Sequence, residues 1–142
     1  MITARDVMHP GCAYVGINEN LTDAARRMAK LDIGALPVCG PDSGLKGIIT
    51  DRDIVVKAIA TGKNPADVTA GDLIEDARRL WWINADADID EVLHQMAGHK
   101  IRRLPVLENM ELVGIISQAD LATKLPEDKV GALVKAISGA SQ

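Results

Sequence analysis

GIITDRD at residues 47–53 returns as GIISQAD at residues 114–120. Both copies keep a glycine, two isoleucines, a hydroxyl residue and an aspartate three places after it, while the two positions between are rewritten. The likeness spreads outward in register. Pro37 in ALPVC and Pro105 in RLPVL stand 68 residues apart, as do Met28 and Met96. Gly47 and Gly114 stand 67 apart, so the second copy is one residue shorter in the intervening turn. TARDVM at 3–8 resembles TAGDLI at 69–74. The chain is one unit written twice, with the repeat ending near Leu125.

Each copy reads as the same run of elements. AYVGI (13–17) is a short apolar run suited to a buried strand. Asn20 sits at an N-cap position with Asp23 three residues on, ahead of the stripe Leu21, Ala24, Ala25, Met28, Leu31, so a helix is predicted up to about 32–34. LPVC and LKGIIT, split by the turn-rich GPDSG, predict an antiparallel hairpin. DIVVKAIATG predicts a second helix closed by Gly62. In the second copy LWWINA is the strand, with one tryptophan facing inward and the other over the sheet edge. IDEVLHQMAG is the helix, RLPVL and LVGII the hairpin, and ADLATKL the closing helix. The fold class is therefore α/β (α+β): two β-α-β-β-α units, placed at 1–66 and 67–125. KNPADVTAG is read as a polar linker between them. From Pro126, at a first helical position, a tail at 126–142 carries the stripe Val130, Leu133, Val134, Ile137. This helix docks on the body or on a second chain.

Composition narrows the function classes. The 142 residues are 47% hydrophobic and 25% charged, with two Trp, one Tyr and no Phe. The core must be aliphatic, and base-stacking platforms for single-stranded nucleic acid are not expected. A net charge of −4 argues against a polyanion-binding surface, and the clusters Arg26-Arg27-Lys30 and Lys100-Arg102-Arg103 read as solvated faces. No apolar run reaches the roughly 18 to 20 residues a membrane span needs. MITARDVMHPG has no apolar core of a secretory signal, so a cytoplasmic protein without membrane or nucleic-acid partners is expected.

The hydroxyl and the aspartate admit two readings. Thr50-x-x-Asp53 and Ser117-x-x-Asp120 lie where an apolar strand ends and a helix begins, and they fit a capping box with Asp in place of Glu. The same junction exposes backbone donors that suit phosphate. A hydroxyl there can bond a phosphate or sugar oxygen, and a carboxylate one turn in can accept ribose hydroxyls.

The tandem LPV…GII[TS]xxD pattern resembles cystathionine-β-synthase (CBS) domains, two of which form a Bateman module. The resemblance covers about residues 3–125, and TDRDIVVKAIATGKNP and LPEDKVGALVKAI look like the small stand-alone members of that family. It implies a ligand-sensing regulator, not an enzyme, with a stress-related role and two sheets packed about a pseudo-twofold axis. It also implies inter-repeat clefts that take AMP, ADP, ATP or S-adenosylmethionine. By position, Thr50 and Asp53 would hold phosphate and ribose in one cleft, and Ser117 and Asp120 in the other. Gly34, Ala35, Pro37, Arg103 and Pro105 would line the base or phosphate. Arg52 beside the first motif, against Gln118-Ala119 beside the second, favours the first cleft. Arg102 and Arg103 are further phosphate candidates. The family's usual disc and the amphipathic tail imply a homodimer; with no effector domain expected in this sequence, the output reaches a further protein partner or is the binding itself.

Two other readings stand beside this one. The protein is a structural or interaction dimer with vestigial clefts, or a redox or metal sensor using Cys12 and Cys39. His9, His94 and His99 lack zincin spacing, and His9 with Cys12 has no near third ligand. No metal site is assigned. There is no G-x-S-x-G, P-loop or paired-carboxylate arrangement, so no catalytic residue is assigned.

Overall fold

The structure is a computed structural model that describes residues 1–11, 13–74 and 80–138. The chain starts with α1 (Ala4–Val7) and β1 (His9–Pro10). The first copy adds β2 (Val15–Gly16), α2 (Leu21–Leu31), β3 (Ala35–Cys39), β4 (Leu45–Thr50) and α3 (Asp51–Asp53). A π-helical run over Ile54–Ile59, a 3-10 turn at Pro65–Asp67 and α4 (Ala70–Leu73) follow. The second copy supplies β5 (Ile83–Asn84), α5 (Ile89–His99), β6 (Arg103–Glu108), β7 (Glu111–Ser117) and α6 (Gln118–Lys124), and α7 (Glu127–Ser138) is the tail helix. Each copy thus builds the β-α-β-β-α order, as one sheet β2-β3-β4 and one sheet β1-β7-β6-β5.

The compact units do not follow the boundaries at 66 and 125. One unit is Ala13–Leu80, and the other joins Met1–Cys12 to Trp81–Gln142. The repeated opener explains the difference, because each opener serves the other copy's sheet. Ala4 and Arg5 donate their N–H groups to the carbonyls of Ala87 and Ala85 at 2.9 and 3.0 Å. Ala70 and Gly71 do the same to Glu19 and Ile17, both at 2.8 Å. Bridges Thr3↔Asp88 and Asn20↔Thr69 complete the symmetry. The stretch read as a polar linker is therefore partly structural: Val68 and Ala70 within it are buried.

This exchange accounts for the glycine in the repeated phrase. A Cβ on Gly114 would stand 2.5 Å from Met8 Sδ and 2.9 Å from the His9 carbonyl oxygen. A Cβ on Gly47 would stand 2.7 Å from Ile74 Cγ2. Met8 and Ile74 hold the same place in the two openers, so each opener closes on a strand that has no side chain there. In the second copy the approach becomes pairing, with His9↔Ile115 and Pro10↔Gly114.

The two prolines set the length of the short strands. β2 pairs β3 only at Val15↔Val38 and Gly16↔Cys39, and β5 pairs β6 only at Ile83↔Val106 and Asn84↔Leu107. Pairing starts just past Pro37 and Pro105, which have no N–H to donate. The strand expected over LWWINA therefore shrinks to two residues. Neither tryptophan turns inward: Trp81 and Trp82 precede the strand and are each 37% exposed. The Trp81 ring stacks on His99, with centroids 3.6 Å apart and 7° between planes.

The cores are aliphatic, as the composition requires. Val15, Leu21, Leu36, Val38, Ile49 and Ile54 fill the first-copy unit, and Val7, Val92, Met96, Leu104, Ile116 and Leu121 fill the second. Each such side chain contributes about 1.5–3 kcal/mol on burial. Asn20 caps α2 by accepting from the Asp23 N–H at 2.9 Å. The buried stripe of α2 is narrower than the apolar one: Leu21, Ala24 and Met28 are buried, while Ala25 and Leu31 on its flanks are exposed. The helix expected from DIVVKAIATG winds as a π-helix over Ile54–Ile59, with the Ala60 N–H donating to Val55 at 2.8 Å. It buries Ile54 and Ala58, leaves Val55, Val56 and Ile59 exposed, and is closed by Gly62 at φ 81°.

The tail helix docks on the body. Leu133 and Ile137 enter the second-copy core, and Lys129 Nζ reaches Asp90 on α5 at 3.0 Å. Cys39 is buried with a free thiol; Cys12, named beside it as a sensor residue, lies outside the described residues. Among the described residues no helix is long and apolar enough to cross a membrane. Replacing Gly114 by Ala is expected to cost about 1–3 kcal/mol, because the methyl must displace Met8 or the His9 backbone. Gly98→Ala, with open space around its position on α5, is expected to gain up to about 1 kcal/mol. Urea denaturation of both variants checks the pair. Equal stability of Gly114→Ala and the parent would remove the packing account.

Candidate functional site

The repeated hydroxyl and aspartate form capping boxes. The Thr50 hydroxyl accepts from the Asp53 N–H at 3.1 Å, and the Asp53 carboxylate accepts from the Thr50 N–H at 2.9 Å. Ser117 and Asp120 repeat this at 3.1 and 3.0 Å. The openers carry the same spacing. The Thr69 hydroxyl accepts from Asp72 at 3.2 Å and its N–H donates back at 3.0 Å, while the Thr3 N–H donates to Asp6 at 2.9 Å. A pattern present four times, twice at positions with no ligand assigned, is a local fold device first. The hydroxyl and acid therefore do not by themselves mark a ligand.

The surroundings of the two central motifs are parallel. The Gly34 carbonyl accepts the Asp51 N–H at 2.9 Å, and the Arg102 carbonyl accepts the Gln118 N–H at 2.9 Å. Ala35 pairs with Thr50 across the hairpin, and Arg103 with Ser117. Each set is thus gathered at one end of its own hairpin. Pro37 and Pro105 lie two residues further in, buried within β3 and β5's neighbour β6.

Beyond this frame the copies diverge. In the first, Lys57 Nζ sits 3.4 Å from the second carboxylate oxygen of Asp53. Its counterpart Lys124 turns away and donates to the Val7 carbonyl at 3.3 Å. Arg52 is exposed. Beside the second motif lies a hollow of about 320 Å³, lined by Arg102, Arg103, Ser117, Gln118, Ala119 and Ala122. That volume is at the lower end of those small-ligand sites occupy. Asp120 and Pro105 are not among the lining residues. Neither Arg102 nor Arg103 is ion-paired among the described residues, whereas Arg5 lies 2.8 Å from Glu108 and Arg27 lies 3.0 Å from Glu19.

Sequence reasoning undervalued Gln118, Ala119 and Ala122. Their counterparts in the first copy are Asp51, Arg52 and Val55, so the second copy is smaller at each place. Loss of bulk was the available signal, and the charge of Arg52 drew attention from it. Among the described residues no group of three or more His, Cys, Asp or Glu side chains is placed to hold a metal ion. Burial pushes the Cys39 thiol up, away from the thiolate that redox and metal chemistry use.

A family model described as CBS domain matches residues 4–60 and 70–127. The chain belongs to the CBS domain family. It is a CBS-pair protein, 48% identical over 137 residues to hypoxic response protein 1 of Mycobacterium tuberculosis, covering 96% of this chain and 94% of that one. A crystal structure of hypoxic response protein I with two coordinated zinc ions superposes with a TM-score of 0.79 at 47% identity, over 88% of this chain and all of the other. A hexameric CBS-CP12 protein from bloom-forming cyanobacteria gives 0.76 at 25% identity, over 87% and 71% of the two chains.

The opener acids give the site's frame a pH dependence. Asp6 and Asp72 are held below the ordinary carboxylate value of 3.8, chiefly because the Thr3 and Thr69 backbone N–H groups donate to them. The folded value is the lower one. Their stabilisation is therefore complete above the ordinary value and is lost as pH falls through the folded values. Asp6→Asn and Asp72→Asn are expected to lower the urea midpoint near pH 7 and to converge with the parent in acid. A deficit that stays constant from about pH 7 down to about pH 2.5 would contradict the assignment.

Proposed function

We propose that this CBS-pair protein is a non-catalytic, stress-related regulator whose second copy binds an adenosyl ligand. The hollow beside Ser117 carries the reading, because it is lined by two arginines that have no acid partner among the described residues, together with a serine and a glutamine. The charge of Arg52 pointed to the first copy; the proposal rests on the second, where room and cationic groups coincide. Arg102 and Arg103 take the anionic end, and Ser117 has a hydroxyl proton left to donate after its cap bond. Asp120 positions Ser117 from behind. The candidates are AMP, ADP, ATP and S-adenosylmethionine. Occupancy would act by its differential affinity for alternative packings of the chain.

Calorimetry of the full chain against the four candidates tests the reading. Saturable binding is expected, weakened at least about tenfold by Ala122→Leu, which fills the hollow without adding charge. No heat and no thermal shift from any of the four would reject the ligand and leave the hollow vacant.

A second observation favours assembly. Val55, Val56 and Ile59 are exposed on one helical run, at 53%, 45% and 55%, where the second copy has Ala122, Thr123 and Pro126. We read this face as the contact of a homodimer, which would present the module to a further protein partner. Light scattering is expected to give a dimer mass for the parent and a monomer mass for Val56→Glu with Ile59→Glu. A parent that stays monomeric at all concentrations would rule the homodimer out.

A further inference from the structure

We infer that the second-copy hollow selects a ligand with a di- or triphosphate chain and rejects the sulfonium cation of S-adenosylmethionine. This rests on the proposed ligand site and narrows its occupant. None of the six lining residues is acidic, and two are arginines. Elsewhere the fold pairs its structural arginines: Arg5 lies between Asp86 and Glu108 at 3.3 and 2.8 Å, and Arg27 meets Glu19 at 3.0 Å. Arg102 and Arg103 have no such partner among the described residues. The counterparts of the pair are Gly34 and Ala35, so the cations belong to this copy alone. The acid that borders the first motif, Asp51, is Gln118 in the second. Two cations have been placed and one anion removed at the same end of one hairpin.

The chemistry of the lining follows. A guanidinium stays charged at any working pH, and its planar fork matches phosphate oxygens in pairs. Two forks on neighbouring residues suit adjoining phosphates better than one. Ser117 and Gln118 add neutral donors to the same anion. A sulfonium ion meets like charge here, with no lining carboxylate to offset it. Each phosphate engaged by a charge-assisted bond strengthens binding by about tenfold, and the gain shrinks as salt rises.

The test is calorimetry of the full chain with ATP, ADP, AMP, adenosine, S-adenosylmethionine and inorganic tripolyphosphate at low and moderate salt. The variants are Arg102→Gln with Arg103→Gln, and Arg26→Gln with Lys30→Gln as a charge-matched control on the exposed face of α2; circular dichroism establishes that each is folded. ATP and ADP are expected to bind about tenfold or more tighter than AMP, and about a hundredfold tighter than adenosine or S-adenosylmethionine. The double variant is expected to reduce ATP to the level of adenosine, and the control to leave it unchanged. Adenosine or S-adenosylmethionine binding as tightly as ATP, or a double variant that keeps full ATP affinity, overturns the phosphate inference while the adenosyl reading stands. Tripolyphosphate binding as tightly as ATP supports the phosphate inference and removes the adenosyl reading. No binding by any titrant overturns both.

Discussion

Everything in this fold waits on one contact, the seating of each opener on a glycine in the other copy's phrase. Met8 lies against Gly114, and Ile74 against Gly47, at distances no Cβ would tolerate. Each contact falls on the strand, β4 or β7, that ends at Thr50 or Ser117. Because the first opener comes from the chain's beginning and serves its second half, the sequence repeat and the compact units are offset by one element. A duplicated unit with an exchanged opener cannot be divided at the middle of the sequence.

The order of elements was legible because it rests on local chemistry. Period-3.6 stripes, an N-cap asparagine, the GPDSG turn and the Gly62 stop act within a few residues, and each appears where expected. The partner of each opener was not legible. Similarity between TARDVM and TAGDLI reveals equivalence, and equivalence is silent about which sheet each one joins. The brevity of β2 and β5 was also hidden, since apolar runs advertise burial while the missing N–H of Pro37 and Pro105 limits pairing. The tryptophans show the same gap: strand alternation turned one of them inward, yet both fall outside the two residues that pair.

The site was half legible. The motif's hydroxyl and acid could be located from the repeat, but their spacing serves four helix starts, so it reports local geometry more than ligand. What distinguishes the second copy is difference, not identity: Gln118, Ala119 and Ala122 where the first has Asp51, Arg52 and Val55. A repeat is usually read for what it keeps. Here the informative positions are the ones it changed, and their meaning needed the hollow they surround.

The offset between repeat and unit also orders the birth of the molecule. The Ala13–Leu80 unit is continuous in sequence, so it can close once its own residues have been synthesised. The segment around His9 and Pro10 is made before that unit, yet its strand partner around Gly114 and Ile115 comes more than a hundred residues later. Until then Val7 and Met8, buried in the finished protein, stay in water as an apolar sticky end. Domains tend to fold as they emerge, so the half carrying the hollow is also the half that matures last.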